Sequence, residues 1–214
     1  MTKQLIFLFI FISSISSSGQ EVAILKYNGG GDWYSNPTAL PNLIEFSNEN
    51  SKTKISKDPN SVAVGNTDLF TYPIIFMTGH GNVFFSDDEA KNLRNYLISG
   101  GFIHISDNYG LDKFIRREMK KVFPKLDFQE IPNDHAIYNQ TFKFKDGLPK
   151  IHEHNKKAPQ GFGIFYEGRL ICFYDYESDL SDGWEDAPIH NNPEEVRLKA
   201  LKMGANIIEY AFKH

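Results

Sequence analysis

His80 is the residue of this sequence whose position most favours chemistry. It lies between Gly79 and Gly81, directly after the apolar run 72–77. A residue between two glycines at the end of a strand can be held in a strained, exposed turn, where an imidazole could act as an acid or base, bind a metal or donate a hydrogen bond. The alternative is a histidine that is hydrogen-bonded to a neighbouring loop. We predict a catalytic role for His80.

A carboxyl group and an amide follow the next predicted strand, 102–106. Asp107 could serve there as a base or a ligand, and Asn108 could contact the same bound molecule. The two residues could equally cap the helix that follows, which is a common role for Asp and Asn. We predict that Asp107 is catalytic and that Asn108 is ligand-binding. His104, inside the strand, is predicted to be a hydrogen-bonded core residue.

The loop after the first predicted strand contains three consecutive glycines, followed by Asp32 and Trp33. Glycines let backbone amides approach a ligand, and an exposed tryptophan could stack on it. The spacing does not match the glycine pattern of a dinucleotide-binding turn, which argues against such a site. A flexible loop with Trp33 packed on the core would explain the same residues. The ligand contacts predicted in the two glycine-containing loops are Gly30, Gly31, Asp32, Trp33, Gly79 and Gly81.

The segment His152, Glu153, His154 could bind a metal ion. Two histidines one residue apart in an extended segment can chelate a cation, while Glu153 would face the other side and is predicted to contact the ligand. A catalytic zinc usually takes three protein ligands and keeps one position open, so the pair needs a further ligand. The residues that could supply it are His80, Asp107 and His135. We expect no cofactor, with a divalent metal at His152 and His154 as the open alternative.

An acidic and aromatic stretch spans residues 175–186. Aromatic rings beside carboxylates suit the recognition of a sugar or polyol, and on this reading Trp184 contacts the ligand. The alternative is a solvated loop that Trp184 anchors to the core.

Composition narrows the class of function. The chain has 214 residues, a formal net charge of −4 and one cysteine. The length suits a single domain with a full hydrophobic core, and the missing basic stripe argues against nucleic acid as a partner. No Gly-x-Ser-x-Gly, Walker or Cys-x-x-Cys motif is present, which disfavours the chemistries that use them. The lone Cys172 lies in an apolar run and is predicted to be buried.

The N-terminus has the layout of a secretory signal peptide. Lys3 supplies a positive charge, residues 5–12 are continuously apolar and residues 13–19 are small and polar. We predict a signal peptide over 1–19 with cleavage after Gly19, and a mature single domain over 20–214. The apolar run is shorter than the roughly 20 residues that span a bilayer, so no integral membrane segment is expected after cleavage. The predicted location is the periplasm or cell envelope. An uncleaved membrane anchor is the alternative.

Strand-like and helix-like segments alternate along the mature chain. We predict that one helix starts with a capping box of Ser86 and Glu89, that Asp112 caps the next helix, and that the last helix has Asn192 as its cap residue and Pro193 as its first helical residue. This alternation predicts a parallel sheet with helices on both faces, because strand–helix–strand connections are right-handed crossovers. We predict an α/β fold, a three-layer flavodoxin-like sandwich with a mostly parallel sheet and a C-terminal β-hairpin turning at 167–168. Ligands of such folds bind outside the carboxyl ends of the strands, where the clusters described above are placed.

Several segments resemble an uncharacterised bacterial domain-of-unknown-function family of exported proteins. They are GGDWY (30–34), MTGHGN (77–82), LRNYL (93–97), GGFIHI (100–105), IRREM (115–119), LPKIHEH (148–154) and MGANII (203–208). The resemblance covers about 22–212 and implies no established activity. More remotely, residues 72–108 are similar to class I glutamine-amidotransferase-like folds of the trehalose-utilisation type, which implies a site at the turn after a central strand. The family's cysteine nucleophile is replaced by His80, so glutamine hydrolysis is not expected.

These observations lead to one function hypothesis and two alternatives. The chain is predicted to bind, and in a stronger form of the hypothesis to hydrolyse, a small polar, carbohydrate-like ligand at the carboxyl ends of the strands. One alternative is a non-catalytic interaction module on a degenerate enzyme fold. The other is a metal-dependent hydrolase built on His152 and His154.

Overall fold

The computed structural model of the chain describes residues 20–214. The predicted signal peptide therefore lies outside the described residues. Within residues 20–214, no helix has both the length and the apolar character needed to cross a membrane.

A mixed seven-stranded sheet forms the centre of the part described, with the strand order β2-β1-β3-β4-β7-β6-β5. Strands β1, β2, β3, β4 and β7 run parallel, β6 is antiparallel to β7, and β5 is antiparallel to β6. The strands are β1 Val22–Lys26, β2 Ser61–Ala63, β3 Ile74–Met77, β4 Phe102–Ser106, β5 Gln129–Glu130, β6 Gln160–Tyr166 and β7 Arg169–Tyr176.

Helices pack against both faces of the sheet. The packed helices are α1 Ala39–Asn50, α2 Asp87–Ile98, α3 Asp112–Val122 and α5 Glu194–Lys213, whereas the short α4 Ala187–His190 has no buried residue. Residues of α2 and α3 join one buried apolar cluster with alternate strand positions such as Ile75 and Met77. Residues of α1 and α5 join a second cluster with the intervening positions, such as Ile74 and Phe76. Because both faces are buried, β3 is apolar throughout and β4 is apolar at three of its five positions.

Helix boundaries follow local chemistry in one case and depart from the prediction in two. The capping box at the start of α2 is confirmed, since Ser86 Oγ accepts from the Glu89 amide while the Glu89 carboxylate accepts from the Ser86 amide. The prediction that Asp112 caps α3 is wrong. Asp112 is the first helical residue, and its Oδ1 lies 2.6 Å from Nε of Arg116 one turn later. Helix α5 begins at Glu194 with Pro193 as its N-cap residue, one position later than predicted.

The position of β7 in the sheet brings the segment after it close to the loop after β4. It pairs antiparallel with β6 across Glu167 and Gly168, which both have positive φ, as a tight two-residue turn requires. Its other edge pairs with β4 in parallel, so β7 is an interior strand. The segment that follows Tyr176 therefore leaves the sheet at the same edge as the loop that follows Ser106.

Candidate functional site

Loops from three parallel strands are joined at this edge by the side chain of Asn108. Its Nδ2 donates to Ser35 Oγ at 3.4 Å, in the loop after β1. Its Oδ1 accepts from Ser181 Oγ at 3.1 Å, in the segment after β7. Asn108 is buried, and these two hydrogen bonds are made within the protein. The residue predicted to bind a ligand thus connects the loop after β1 to the segment after β7. Neither Asn108 nor Asp107 caps α3, whose N-cap residue is Leu111.

His80 is held by Asp32 from the neighbouring loop. The imidazole Nδ1 lies 3.0 Å from Asp32 Oδ2, and the His80 amide donates to Asp32 Oδ1. The side chain of His80 is 56% exposed and that of Asp32 is 35% exposed. A carboxylate that fixes an imidazole in this way orients the opposite ring nitrogen, the arrangement found when histidine serves as a base. The two predicted residues thus meet in a solvent-exposed pair.

The glycines of these loops divide into two kinds. A Cβ atom on Gly31 would lie 2.7 Å from the His80 carbonyl oxygen, and one on Gly79 would lie 2.1 Å from the Tyr27 hydroxyl. These two glycines permit the close packing of the loops, which accounts for them without a ligand. Gly30 and Gly81 have open space around the Cβ position, so they keep the accessibility that the predicted ligand contact requires.

The two tryptophans have different environments. Trp33 is partly buried against the core, and the Lys26 Nζ lies 5.1 Å from its ring centroid. Trp184 is fully buried and donates from Nε1 to the Ala200 carbonyl oxygen at 2.8 Å. The predicted ligand contact of Trp184 is therefore wrong, because its indole is closed off from solvent. Trp184 anchors the segment after β7 to the core.

A buried histidine–carboxylate pair lies directly beneath the site. The Asp175 Oδ2 lies 2.6 Å from Nε2 of His104, and both side chains are almost completely buried. Burial lowers the pKa of His104 to about 3 and raises the pKa of Asp175, which favours the neutral form of both side chains. The Asp175 Oδ1 also accepts from Ser106 Oγ at 3.1 Å and from the Asp107 amide at 3.2 Å. The prediction of a hydrogen-bonded core histidine is confirmed, and the pair fixes the backbone of Asp107.

Asp107 lines an open cleft of about 390 Å³ beside the ends of β4 and β7. Its Oδ2 accepts from the Glu177 amide at 3.3 Å, while its buried Oδ1 has no hydrogen-bond partner among the described residues. Burial, together with the charges of Asp175, Asp112 and Glu177, raises the pKa of Asp107 to about 7. Residues with polar or aromatic side chains that share the cleft include Tyr109, Asp112, Asn155, Lys157, Tyr176 and Glu177.

Two residues that line the cleft, and a third nearby in the chain, have left-handed backbone conformations. Tyr109 has φ +39°, Glu177 has φ +57° and Asp179 has φ +54°. Such left-handed conformations cost a residue other than glycine on the order of 1–3 kcal/mol and tend to occur where function requires a particular geometry. Tyr109 remains 52% exposed and stacks on His154 with ring centroids 4.6 Å apart. The strained tyrosine therefore presents an aromatic surface at the cleft.

The two histidines of the 152–154 segment belong to different clusters. His154 Nε2 lies 2.8 Å from Asp179 Oδ2, a close contact without the alignment of a hydrogen bond. His152 Nδ1 lies 2.9 Å from Asp182 Oδ2. The two rings are perpendicular with centroids 6.5 Å apart, because the segment is irregular rather than extended. The predicted pairing of His152 with His154 is thus replaced by separate carboxylate partners, and exposed Glu153 accepts from the Lys156 amide.

A set of possible metal ligands does include His152. His152, Asp182 and His190 can each offer a ligand atom, and these atoms lie within 4.8 Å of one another. The residues expected to complete a site with His152, namely His80, Asp107 and His135, are not part of this set. His135 instead accepts from the Ile137 amide at 3.2 Å.

The model of one protein family matches nearly the whole of the described chain. That family is described as Domain of unknown function (DUF4159), and the match covers residues 21–212. The chain belongs to this family. The comparison supports the resemblance inferred from the sequence segments at the level of the family itself. No curated protein matches the chain.

In this DUF4159 chain, the residues that sequence reasoning missed come mainly from the segment after β7. They are Glu177, Asp179, Asp182 and His190, with Tyr109 and Asn155 beside the cleft. The signal was available, because the acidic stretch 175–186 directly follows a predicted strand. The stretch was not placed at the carboxyl end of a parallel strand. The strand before it was assigned to a hairpin, and the sequence does not specify where that hairpin lies in the sheet.

Proposed function

We propose that the protein binds a small, neutral, polyhydroxylated ligand of the carbohydrate class in the cleft beside Asp107. The observation that carries the proposal is the carboxyl group of Asp107, which is buried at the wall of an open cleft with one oxygen lacking a partner. A buried polar atom without a partner is costly, by about 1–3 kcal/mol, and such an atom at a cleft suits a ligand that supplies the missing hydrogen bond.

The composition of the cleft supports the carbohydrate class. Tyr109 and Tyr176 offer aromatic surface, while Asp112, Asn155 and Glu177 offer hydrogen-bond acceptors and an amide. Sugar rings present apolar C–H faces that pack on aromatic rings and hydroxyl edges that bond to carboxylates and amides. The carboxyl groups of Asp107, Asp112 and Glu177 line the cleft together with the amines of Lys113 and Lys157. Lys157 pairs with Glu177, and the Lys113 Nζ lies over the Phe114 ring, so the lysines do not give the cleft an excess of positive charge. The cleft therefore favours a neutral ligand over an anion.

Asp107 supplies the acid or base if the bound ligand is hydrolysed. A carboxyl group with a pKa of about 7 can both donate and accept a proton at neutral pH, which suits a general acid or base. His80 does not line this cleft, and among residues 20–214 no hydrogen bond joins its side chain to Asp107. The exposed His80–Asp32 pair is a second candidate acid or base on a neighbouring loop of the same edge.

Calorimetric titration of the mature chain with trehalose, maltose and sucrose tests the proposal. We expect at least one of these disaccharides to bind, and we expect Asp107→Ala and Tyr109→Ala each to weaken that binding about tenfold or more, since each removes a direct contact. Exposed Glu153 provides the matched control, and Glu153→Gln should bind like the parent chain. Equal binding by the parent chain and Asp107→Ala, or no binding of any of the three sugars, would overturn the proposal.

The proposal also includes the fold type, the cellular location and the class of partner predicted from the sequence. We propose a three-layer, flavodoxin-like arrangement related to the amidotransferase-like folds, with the hairpin of β6 and β7 built onto a parallel core. We also propose export to the periplasm or cell envelope after cleavage at Gly19. The net charge of −4 supports the absence of nucleic acid from the set of partners.

A further inference from the structure

His152 has an unusual hydrogen-bonding environment. Its Nε2 lies 2.8 Å from Oδ1 of Asn192, and its Nδ1 lies 2.9 Å from Oδ2 of Asp182. The Asn192 amide is oriented by its own Nδ2, which donates to the Asp182 carbonyl oxygen at 3.5 Å. Both nitrogens of the imidazole therefore face oxygen atoms that accept hydrogen bonds. A neutral imidazole carries one N–H, so both contacts are satisfied only by a protonated ring, which donates from both nitrogens, or by a ring that binds a cation through one of them.

A metal ion resolves this arrangement. With the proton on Nε2, donated to Asn192, the Nδ1 lone pair and the Asp182 carboxylate can bind the same cation. Histidines that bind metals usually donate their other N–H to an oxygen acceptor in this way, which fixes the tautomer and the ring orientation.

His190 supplies a third ligand from the end of α4. Its Nε2 lies 3.9 Å from Asp182 Oδ1, and its ring centroid lies 5.1 Å from that of His152. A tetrahedral zinc ion with bonds of about 2.1 Å places its ligand atoms about 3.3–3.5 Å apart. His152 Nδ1 lies 2.9 Å from Oδ2 of Asp182, and His190 Nε2 lies 3.9 Å from its Oδ1. The three ligand atoms lie within 4.8 Å of one another, so the side chains would move closer together to bind one ion.

The carboxylate of this cluster is also held from outside. Asn36 donates from Nδ2 to Asp182 Oδ1 at 2.6 Å, and the same amide donates to Ser181 Oγ at 2.9 Å. The side chains of His152, Asp182 and His190 are 23%, 12% and 27% exposed, so an ion could enter from solvent. Two imidazoles, one carboxylate and an open side match a site with three protein ligands and a free coordination position.

We propose that His152, Asp182 and His190 form a binding site for one zinc-class divalent ion. The ligands are Nδ1 of His152, a carboxylate oxygen of Asp182 and Nε2 of His190, with Asn192 and Asn36 as the outer residues that orient them. This site goes beyond the proposed sugar-binding cleft and does not use Asp107.

The test is a calorimetric titration of the chelator-treated full mature chain with Zn²⁺, repeated with Co²⁺ while the visible absorption is recorded. We expect one ion per chain and, with Co²⁺, the intense visible bands of a four-coordinate ion. His190→Ala and Asp182→Asn should each abolish stoichiometric binding. Asn192→Ala should weaken binding about 10- to 100-fold, as removal of an outer-shell partner usually does.

His154→Ala is the matched control, because His154 lies two residues from His152 and pairs with a different aspartate. It should bind zinc like the parent chain, and so should Asp107→Asn, which separates this proposal from the sugar-binding one. Circular dichroism in the presence of chelator checks that each variant is folded. If His190→Ala does not fold, zinc binding by Asp182→Asn tests the proposal instead. Absence of binding by the parent chain, retained binding by Asp182→Asn, or loss of binding in His154→Ala would overturn the proposal.

Discussion

Replacement of Trp184 by alanine is expected to lower the free energy of unfolding by about 3–5 kcal/mol, the usual cost of removing a large buried aromatic side chain. The indole is fully buried, and its ring centroid lies 5.5 Å from that of Phe76 and 5.6 Å from that of His104. The substitution would leave a cavity beside the His104–Asp175 pair and remove the donor to Ala200. Since most domains are stable by only 5–15 kcal/mol, the loss should be readily measured.

Urea denaturation followed by circular dichroism measures this effect, and Trp33 supplies the matched control. Trp33 is only partly buried, so Trp33→Ala should cost clearly less than Trp184→Ala. If Trp184→Ala is too unstable to give a folded baseline, Trp184→Phe should remain folded with an intermediate loss. Equal losses for the two alanine variants would contradict the assignment of Trp184 as the anchor of the segment after β7.

Asp107→Asn is expected to stabilise the folded protein at pH 8 by about 2–4 kcal/mol. The pKa of Asp107 is raised to about 7 in the folded state, against about 3.9 in an unfolded chain. Between these two values the folded state holds a proton that the unfolded state has released, so stability falls as pH rises from about 4 to about 7. A shift of roughly three pKa units corresponds to about 4 kcal/mol, and the asparagine variant avoids this loss because its amide does not ionise.

The unfolding free energies of the parent chain and Asp107→Asn should be compared by urea denaturation at intervals from pH 4 to pH 8. The two curves should meet near pH 4 and separate progressively up to about pH 7, with the variant more stable. Asp134 is exposed, and Asp134→Asn should follow the parent curve throughout. A gap between parent and Asp107→Asn that is constant with pH, or a less stable variant at pH 8, would contradict a buried and protonated Asp107.

Trp184 and Asp107 could be assigned to a loop and to a strand end from the sequence, but their three-dimensional contacts could not. Strand β4 was predicted with the observed boundaries, because five buried residues between a Gly-Gly pair and a polar cluster form a strong local signal. The capping box of α2 was predictable for the same reason, since Ser86 and Glu89 interact within one turn. Local chemistry also made the turn at 167–168 recognisable.

Long-range pairing explains what the sequence did not reveal. The parallel contact between β4 and β7 joins residues about 70 positions apart, and no local pattern specifies it. This contact brings Glu177, Asp179 and Asp182 to the edge where Asp107 lies. The fate of Trp184 was equally open, because an aromatic residue in an acidic loop can face either solvent or core. Its burial depends on α5, whose Ala200 carbonyl accepts its N–H.

The histidine segment illustrates the same limit on a smaller scale. Two histidines one residue apart share a face only if the backbone between them is extended, and the segment here is irregular. His152 and His154 consequently contact different aspartates. The residue types of a metal site were thus recognisable from the sequence, whereas the set of ligands required the fold.

Amide chemical-shift mapping can show whether a carbohydrate-class ligand occupies the cleft beside Asp107. The ¹H–¹⁵N spectrum of the labelled mature chain should be recorded during titration with trehalose, maltose and sucrose. At least one sugar should shift the amides of Asp107, Tyr109, Asn155 and Glu177 in a saturable manner. Unchanged spectra with all three sugars would contradict the proposed binding. So would shifts confined to another surface, such as the lysine-rich groove formed by 142–149 with Lys199 and Lys202.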